Sequence, residues 1–89
     1  MTVELFGLAR ALAGKAVVEI ALDEPTDIDA FILALVSAYP EFDGSIIDGA
    51  RAAFIEPNLL LLDGRRAPVA GETFGSADKP CVVFLASGG

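Results

Sequence analysis

The chain has 89 residues, enough for one small domain built around a single hydrophobic core. Thirteen acidic and six basic residues, with no histidine, give a formal net charge of −7 at pH 7. This acidic balance argues against nucleic acid and anionic membrane surfaces as partners. It favours a partner with a basic face, and it equally fits acids that simply keep an apolar domain soluble. No apolar run approaches the roughly 18 residues of a membrane span, and the start of the chain lacks a signal peptide's pattern, so we expect a cytoplasmic protein.

The first half of the chain predicts two strands followed by one long helix. Alternating apolar residues indicate strands over residues 3–6 and 17–22, with a helical turn over residues 8–12 between them. Thr26 is the predicted N-cap of the helix, and Pro40 stops it. The apolar stripe of this helix consists of Ile28, Phe31, Ile32, Leu35, Val36 and Tyr39, at helical spacing.

The second half predicts an extended stretch followed by three short strands. Residues 52–55 are expected to be extended, and the four leucines within residues 58–62 indicate either a strand buried on both faces or one with a face left for a partner. Asp63 and Gly64 predict a tight hairpin turn, followed by a short edge strand over residues 65–69 that Pro68 interrupts. The last strand covers residues 81–85 and begins at Cys81, the one cysteine, which we interpret as a structural thiol.

This order of elements predicts an α+β fold. The arrangement expected is the β-grasp of ubiquitin-like proteins, a mixed five-stranded sheet packed by one long helix, with the last strand beside the first. Residues 1–85 would form the β-grasp domain. Residues 86–89 would form a flexible C-terminal tail that ends in a diglycine.

The residues for most enzyme sites are missing from this sequence. Without histidine there is no Ser-His-Asp triad, and a single cysteine excludes thiolate zinc clusters. The group that stands out is the terminal carboxylate of Gly89, behind Gly88, because glycine leaves the backbone unobstructed. ATP could convert that carboxylate to an acyl-adenylate, which sulfur could turn into a thiocarboxylate or an amine into an amide. We expect a partner to bind the ATP and this chain to hold no cofactor or metal itself.

The whole chain resembles the MoaD/ThiS family of ubiquitin-like sulfur carriers, and MoaD, the small subunit of molybdopterin synthase, more than ThiS. The residues that carry the resemblance are Val3-Glu4-Leu5-Phe6-Gly7-Leu8-Ala9-Arg10, Leu12-Ala13-Gly14, Thr26, Tyr39-Pro40, Leu61-Leu62-Asp63-Gly64-Arg65 and Ser87-Gly88-Gly89. A Pro-Pro pair that family members commonly carry before the tail is missing here.

The resemblance implies a carrier that is activated by another protein. An E1-like enzyme of the MoeB/ThiF type would adenylate Gly89, a cysteine desulfurase or rhodanese would supply sulfur, and a larger MoaE-like subunit would receive the tail to form molybdopterin. Phe6, Leu60, Phe84 and Ser87 correspond to partner-binding positions, although the three apolar residues fit an ordinary core equally well.

Three other functions stay open at the level of sequence. The chain could be a ThiS-like carrier that serves thiazole or cysteine synthesis. It could be a protein modifier whose Gly89 becomes linked to lysines of target proteins. It could also be a plain β-grasp interaction module with an incidental diglycine.

Overall fold

The computed structural model describes residues 1–85. Its helices are α1 (Gly7–Ala13) and α2 (Ile28–Ala38), with 3-10 turns at Pro40–Phe42 and Ser76–Asp78. Its strands are β1 (Thr2–Leu5), β2 (Val17–Glu19), β3 (Ile47–Asp48), β4 (Ala53–Phe54), β5 (Asn58–Leu61) and β6 (Cys81–Phe84). None of the helices within these residues has the length and apolar composition required to cross a bilayer.

Four of the strands form one mixed sheet in the order β2-β1-β6-β5. Strand β1 is antiparallel to β2 and parallel to β6, and β5 is antiparallel to β6. The last strand therefore lies beside the first in the middle of the sheet, as predicted, and the α+β β-grasp fold is confirmed. The predicted five-stranded sheet is corrected to four strands plus a separate two-stranded ribbon of β3 and β4.

Helix α2 packs its apolar stripe against the inner face of the sheet, which confirms the helical pattern. Phe31, Ile32 and Leu35 are buried, and Phe31 meets the ring of Phe74 edge to face at 5.6 Å between centroids. Burying several aromatic and aliphatic side chains between helix and sheet supplies the main stabilisation of a domain this small.

The predicted N-cap of α2 is wrong by one residue. The Asp27 carboxylate accepts a hydrogen bond from the Ala30 amide at 2.9 Å, so Asp27 is the N-cap. Thr26 instead exchanges backbone hydrogen bonds with Phe74, each 2.9 Å long. Backbone pairing with Phe74 thus holds Thr26 outside the helix, and the next residue, Asp27, caps the helix.

Helix α1 is longer than the helical turn predicted for residues 8–12. It has seven residues and ends at Gly14, whose φ of 72° is the left-handed conformation common after a helix. Its inward residue, Ala9, is fully buried. Contact with the core therefore stabilises a helix that is too short to be stable by itself.

The predicted hairpin after β5 is present only as a turn. Asp63 and Gly64 have φ values of 56° and 67°, as a tight primed turn requires, but residues 65–69 form no strand. A single bridge joins Leu62 to Arg66, after which the Arg66 guanidinium turns to Glu72 and donates two hydrogen bonds of 2.8 and 2.6 Å. Proline at position 68 has no amide to extend the ladder.

The leucine run of β5 alternates in the structure. Leu60 and Leu62 are buried towards the helices, whereas Leu59 and Leu61 are half-buried on the outer face. The interpretation of a strand buried on both faces is therefore wrong, and the outer face of β5 is partly exposed.

Candidate functional site

The candidate site is the end of β6, where the chain leaves the sheet towards its last residues. Ser87, Gly88 and Gly89, three of the predicted site residues, lie outside the described residues, as does the predicted tail over residues 86–89. The structure therefore characterises the base from which that segment departs, up to Leu85.

Backbone hydrogen bonds hold β6 on both sides, over different lengths. On one side the Phe6 amide donates to the Val82 carbonyl at 2.9 Å. On the other side the Leu85 amide donates to the Pro57 carbonyl at 3.0 Å. The β1 side of β6 is thus bonded as far as Val82, and the backbone at Leu85 is held by the segment that leads into β5.

A glycine allows Phe84 to lie close to the start of α1. Gly7 has a φ of +60°, and a Cβ built on it would lie 2.7 Å from the Cβ of Phe84. No real side chain tolerates such a distance, and the left-handed conformation disfavours any residue with a Cβ. Gly7 therefore sets how closely the end of β6 approaches the turn between β1 and α1.

Exposed apolar side chains surround the end of β6. Phe6, Leu8, Phe84 and Leu85, which we call the apolar collar, are between 37% and 54% exposed. Phe6 and Leu8 flank Gly7 in sequence, and Phe84 contacts Gly7 in space. Contiguous apolar side chains left in solvent on a small protein commonly mark a surface that another protein covers.

The structure separates the three apolar residues predicted to bind a partner. Phe6 and Phe84 are exposed in the collar, at 44% and 43%. Leu60 is only 2% exposed, because its register opposite Val82 directs it into the core. The prediction that Leu60 contacts a partner is therefore corrected, and the core interpretation holds for it.

A shallow groove continues from the collar along the outer face of the sheet. It has a volume of about 360 Å³, and its walls include Phe6, Leu61 and Val83, with Glu4 and Lys79 at its rim. Phe6 belongs to both the collar and the groove, whereas Phe84 lies on the opposite face of β6 from Val83, so Phe6 is the residue at which the two surfaces meet.

The groove contains no activated nucleophile. Cys81 lines it but is only 6% exposed, and burial raises the pKa of its thiol above the ordinary value. Its Sγ lies 3.6 Å from the Leu61 carbonyl oxygen. A thiol that is harder to ionise and largely covered is unreactive, which agrees with the structural role predicted for it.

The carboxylates with shifted pKa values lie away from the collar and maintain loops. The Glu24 carboxylate accepts hydrogen bonds from the Ser76 amide and the Ser76 hydroxyl. Both bonds lower the pKa of Glu24, and the bond from the amide has the larger effect. The Arg66 guanidinium lowers the pKa of Glu72 to about 2. Over residues 1–85, no group of three or more His, Cys, Asp or Glu side chains is arranged to hold a metal ion.

Three residues of the site were not recognised from the sequence: Gly7, Leu8 and Leu85. The signal for Gly7 was present, since it lies between the strand predicted over residues 3–6 and the helical turn predicted over residues 8–12, where a left-handed residue can reorient the chain. Leu8 and Leu85 carry no such signal, because an apolar residue next to a strand is as often buried as exposed.

Comparison with solved structures finds the same fold over the full length of the chain. The crystal structure of SAMP1 from Haloferax volcanii matches with a TM-score of 0.76 and 25% sequence identity, covering 100% of this chain and 98% of that one. A crystal structure of H. volcanii small archaeal modifier protein 1 matches with a TM-score of 0.76 and 22% identity, covering 97% of each chain. No protein-family model and no curated protein matches the sequence.

Proposed function

We propose that this chain is a ubiquitin-like sulfur carrier whose reactive group is the carboxylate of Gly89. The observation that carries the proposal is the apolar collar at the base of a segment that leads to Gly88 and Gly89. A surface for docking beside a narrow glycine strip suits a protein whose last residues enter another protein's active site.

The chemistry proposed uses the chain as a substrate. The carboxylate of Gly89 attacks the α-phosphorus of ATP on an E1-like enzyme, and pyrophosphate leaves. A persulfide on a desulfurase or rhodanese attacks the acyl carbon, and AMP leaves. A thiol then cleaves the resulting S–S bond, which leaves a thiocarboxylate on Gly89. The chain supplies the acyl group, and its partners supply ATP, sulfur and reductant.

The destination proposed for the sulfur is molybdopterin. In this form of the proposal a larger, MoaE-like subunit covers the collar and receives Gly89 in its active site. The support is the resemblance of the run from Val3 to Arg10 and of the turn at Asp63 and Gly64 to MoaD. A ThiS-like carrier for thiazole or cysteine synthesis would use the same chemistry with a different acceptor.

A second candidate function is protein modification, in which a lysine amine captures the adenylate of Gly89 as an amide. One of the matching structures is named small archaeal modifier protein 1, and that name favours this candidate for a chain with the same fold. Lys15 and Lys79 are the internal lysines through which copies of this chain could be joined to one another.

The test is the intact mass of the full chain after incubation with an E1-like enzyme, ATP and a sulfur donor. We expect one oxygen to be replaced by one sulfur, and the variant lacking Gly89 to stay unchanged while it keeps its thermal stability. Covalent conjugates on other proteins, with no sulfur retained on the chain, would favour the modifier. A full-length chain that reacts in neither way, or a truncated chain that unfolds, contradicts both candidates.

A further inference from the structure

Within residues 1–85, one backbone hydrogen bond holds Leu85, from its amide to the Pro57 carbonyl at 3.0 Å. In an antiparallel ladder, a hydrogen-bonded pair of residues normally exchanges two bonds, one in each direction. Proline has no backbone amide, so Pro57 cannot donate the second bond to the Leu85 carbonyl. The position of the backbone at Leu85 therefore depends on where the Pro57 carbonyl lies.

Asn58, the residue after Pro57, fixes this segment through its side chain. Its backbone amide and its side-chain Nδ2 both donate to the Ile55 carbonyl, each at 2.9 Å. Ile55 is tied to the core in turn, because its amide donates to the carbonyl of the fully buried Ile46 at 2.8 Å. These bonds close residues 55–58 into a turn, and the Pro57 carbonyl belongs to that turn.

The register of the sheet also brings Asn58 to the end of β6. Asn58 lies opposite Phe84, next to the bonded pair of Pro57 and Leu85. Hydrogen-bonded and non-hydrogen-bonded pairs alternate along an antiparallel ladder, so Asn58 and Phe84 form a non-hydrogen-bonded pair, in which the side chains lie closest. Asn58 is therefore adjacent both to the turn and to the strand end that the turn holds.

Asn58 is buried although its side-chain amide is only partly satisfied. The residue is 4% exposed, and within residues 1–85 its Oδ1 atom is buried without a hydrogen-bond partner. A buried acceptor without a partner lowers stability by as much as a typical hydrogen bond raises it, or more. The side-chain amide therefore adds little to the stability of the domain, and its favourable contribution is the bond to Ile55.

We propose that Asn58 is a positioning residue for the C-terminal segment. Its side chain holds the turn over residues 55–58 and so fixes the Pro57 carbonyl, and that carbonyl fixes Leu85 where the chain leaves the sheet. A fixed starting point reduces the conformational freedom that is lost when Gly89 enters a partner's active site. This role rests on the proposed activation of Gly89.

The first experiment compares Asn58→Leu with the unchanged chain by amide hydrogen exchange. Leucine has nearly the same size, and it removes both the bond to Ile55 and the unpaired acceptor. We expect the Leu85 amide to exchange about tenfold faster, as for the loss of one hydrogen bond. The midpoint of urea unfolding should stay the same or rise, because the two changes have opposite effects on stability.

Thr26→Val is the matched control for this experiment. Thr26 and Asn58 are the two buried polar residues of the described chain. The Thr26 hydroxyl donates to the Asp27 carbonyl at 3.2 Å and its backbone pairs with Phe74, so these hydrogen bonds lie outside β6 and outside the turn that holds it. The control also replaces a buried polar group by an apolar one of similar shape, and it should leave the exchange of Leu85 unchanged.

The second experiment measures activation of Gly89 by the E1-like enzyme. We expect Asn58→Leu to lower kcat about fivefold while KM changes little, because the apolar collar is kept and only the placement of the reacting end is lost. A residue with a merely structural role would leave both constants unchanged at temperatures where the whole chain is folded.

A third measurement needs no variant, so it applies even where Asn58→Leu fails to fold. In the unchanged chain, the amides of Asn58 and Leu85 should have similar protection against exchange, and urea should reduce both together. The reason is that the bond of the Asn58 amide closes the turn that holds Leu85. Independent opening of the two amides would contradict the proposed coupling.

The proposal is wrong if the Leu85 amide exchanges at the same rate in Asn58→Leu, or if Thr26→Val accelerates it equally. It is also wrong if the urea midpoint falls enough to account for the faster exchange, because Asn58 would then only stabilise the fold. An unchanged kcat in Asn58→Leu would remove its role in activation. If the unchanged chain is not activated at all, the proposed function fails, whereas the exchange of Leu85 still decides whether Asn58 fixes the end of β6.

Discussion

The two halves of strand β6 differ in exposure to solvent. At its first half, Cys81 and Val82 are buried between β1, β5 and the helices, and Val82 is fully inaccessible. At its second half, Phe84 and the following Leu85 are about half exposed although the backbone is still hydrogen-bonded. Within a few residues the same strand passes from core to surface.

One strand therefore carries both residues that stabilise the domain and, beyond them, the exposed apolar residues that we propose bind a partner. The buried half anchors the sheet, and the exposed half presents an apolar surface on a rigid backbone. A docking surface on a fixed element loses little conformational freedom when a partner binds. Variants should therefore separate into those that unfold the domain and those that impair only its interactions.

The largest effect is expected from a buried leucine beside Val82. Leu5→Ala removes a side chain that is 1% exposed, so we expect a loss of about 3 kcal/mol in the free energy of unfolding. Leu8→Ala makes the same chemical change in the collar, where the side chain is 37% exposed, and should cost below about 1 kcal/mol. Urea unfolding measures both, and equal losses would abolish the distinction between the two regions.

Gly7→Ala should have an intermediate effect of about 2 kcal/mol, from the positive φ together with the contact to Phe84. Gly14→Ala is the matched control, because Gly14 also has a positive φ but nothing lies within 4 Å of its added Cβ. The control should cost about 1 kcal/mol, from the positive φ alone. If the two variants lose the same stability in urea, the close approach of Phe84 to α1 is not a real constraint.

Phe84→Ala should cost only about 1 kcal/mol of stability, because the ring is already 43% exposed. We expect activation of Gly89 by the E1-like enzyme to fall about tenfold, as for loss of an aromatic interface contact. Val69→Ala, at the most exposed large apolar residue, should leave activation unchanged. Activation that is insensitive to Phe84→Ala would remove the collar from the proposed docking surface.

The smallest effect is expected in the pH dependence of stability, through the ion pair between Arg66 and Glu72 in the loop over residues 65–75. The pKa of Glu72 is lowered from 4.5 to about 2 by Arg66, so its stabilising contribution is present above pH 4.5 and is lost as the pH falls towards 2. Glu72→Gln should therefore flatten the fall of the unfolding midpoint across that range. Because the pair is exposed, high salt should reduce the difference in unfolding midpoint between the unchanged chain and Glu72→Gln. Identical pH profiles of the two proteins would show that the pair contributes no stability.

Local sequence patterns predicted the elements that depend only on residues close together in the chain. The stripe from Ile28 to Tyr39 identified α2, because one face of a helix must be apolar to pack. Asp63 and Gly64 identified a turn, because both residues accept positive φ values. Long-range pairing explains the errors: Thr26 bonds to Phe74 and leaves the cap to Asp27, and Arg66 turns to Glu72 where a strand was expected.

Burial within the candidate site could not be predicted in the same way. Phe6, Leu60 and Phe84 are all apolar residues in or beside strands, and nothing local distinguishes them. Leu60 pairs with Val82 and is buried in the core, whereas Phe84 pairs with Asn58 on the same face but at the end of β6, beside Gly7, where it is 43% exposed. Burial on this face therefore depends on how far each residue lies from the end of its strand, which only the paired sheet determines.

The amino-acid order was thus sufficient for the fold class, the long helix, the tight turn and the chemical distinctiveness of Gly88 and Gly89, because these depend on periodicity, conformational preference and residue type. Only the assembled sheet settled which leucines are buried and which apolar residues surround the end of β6. Those properties depend on contacts between residues far apart in the chain, to which no local pattern is sensitive.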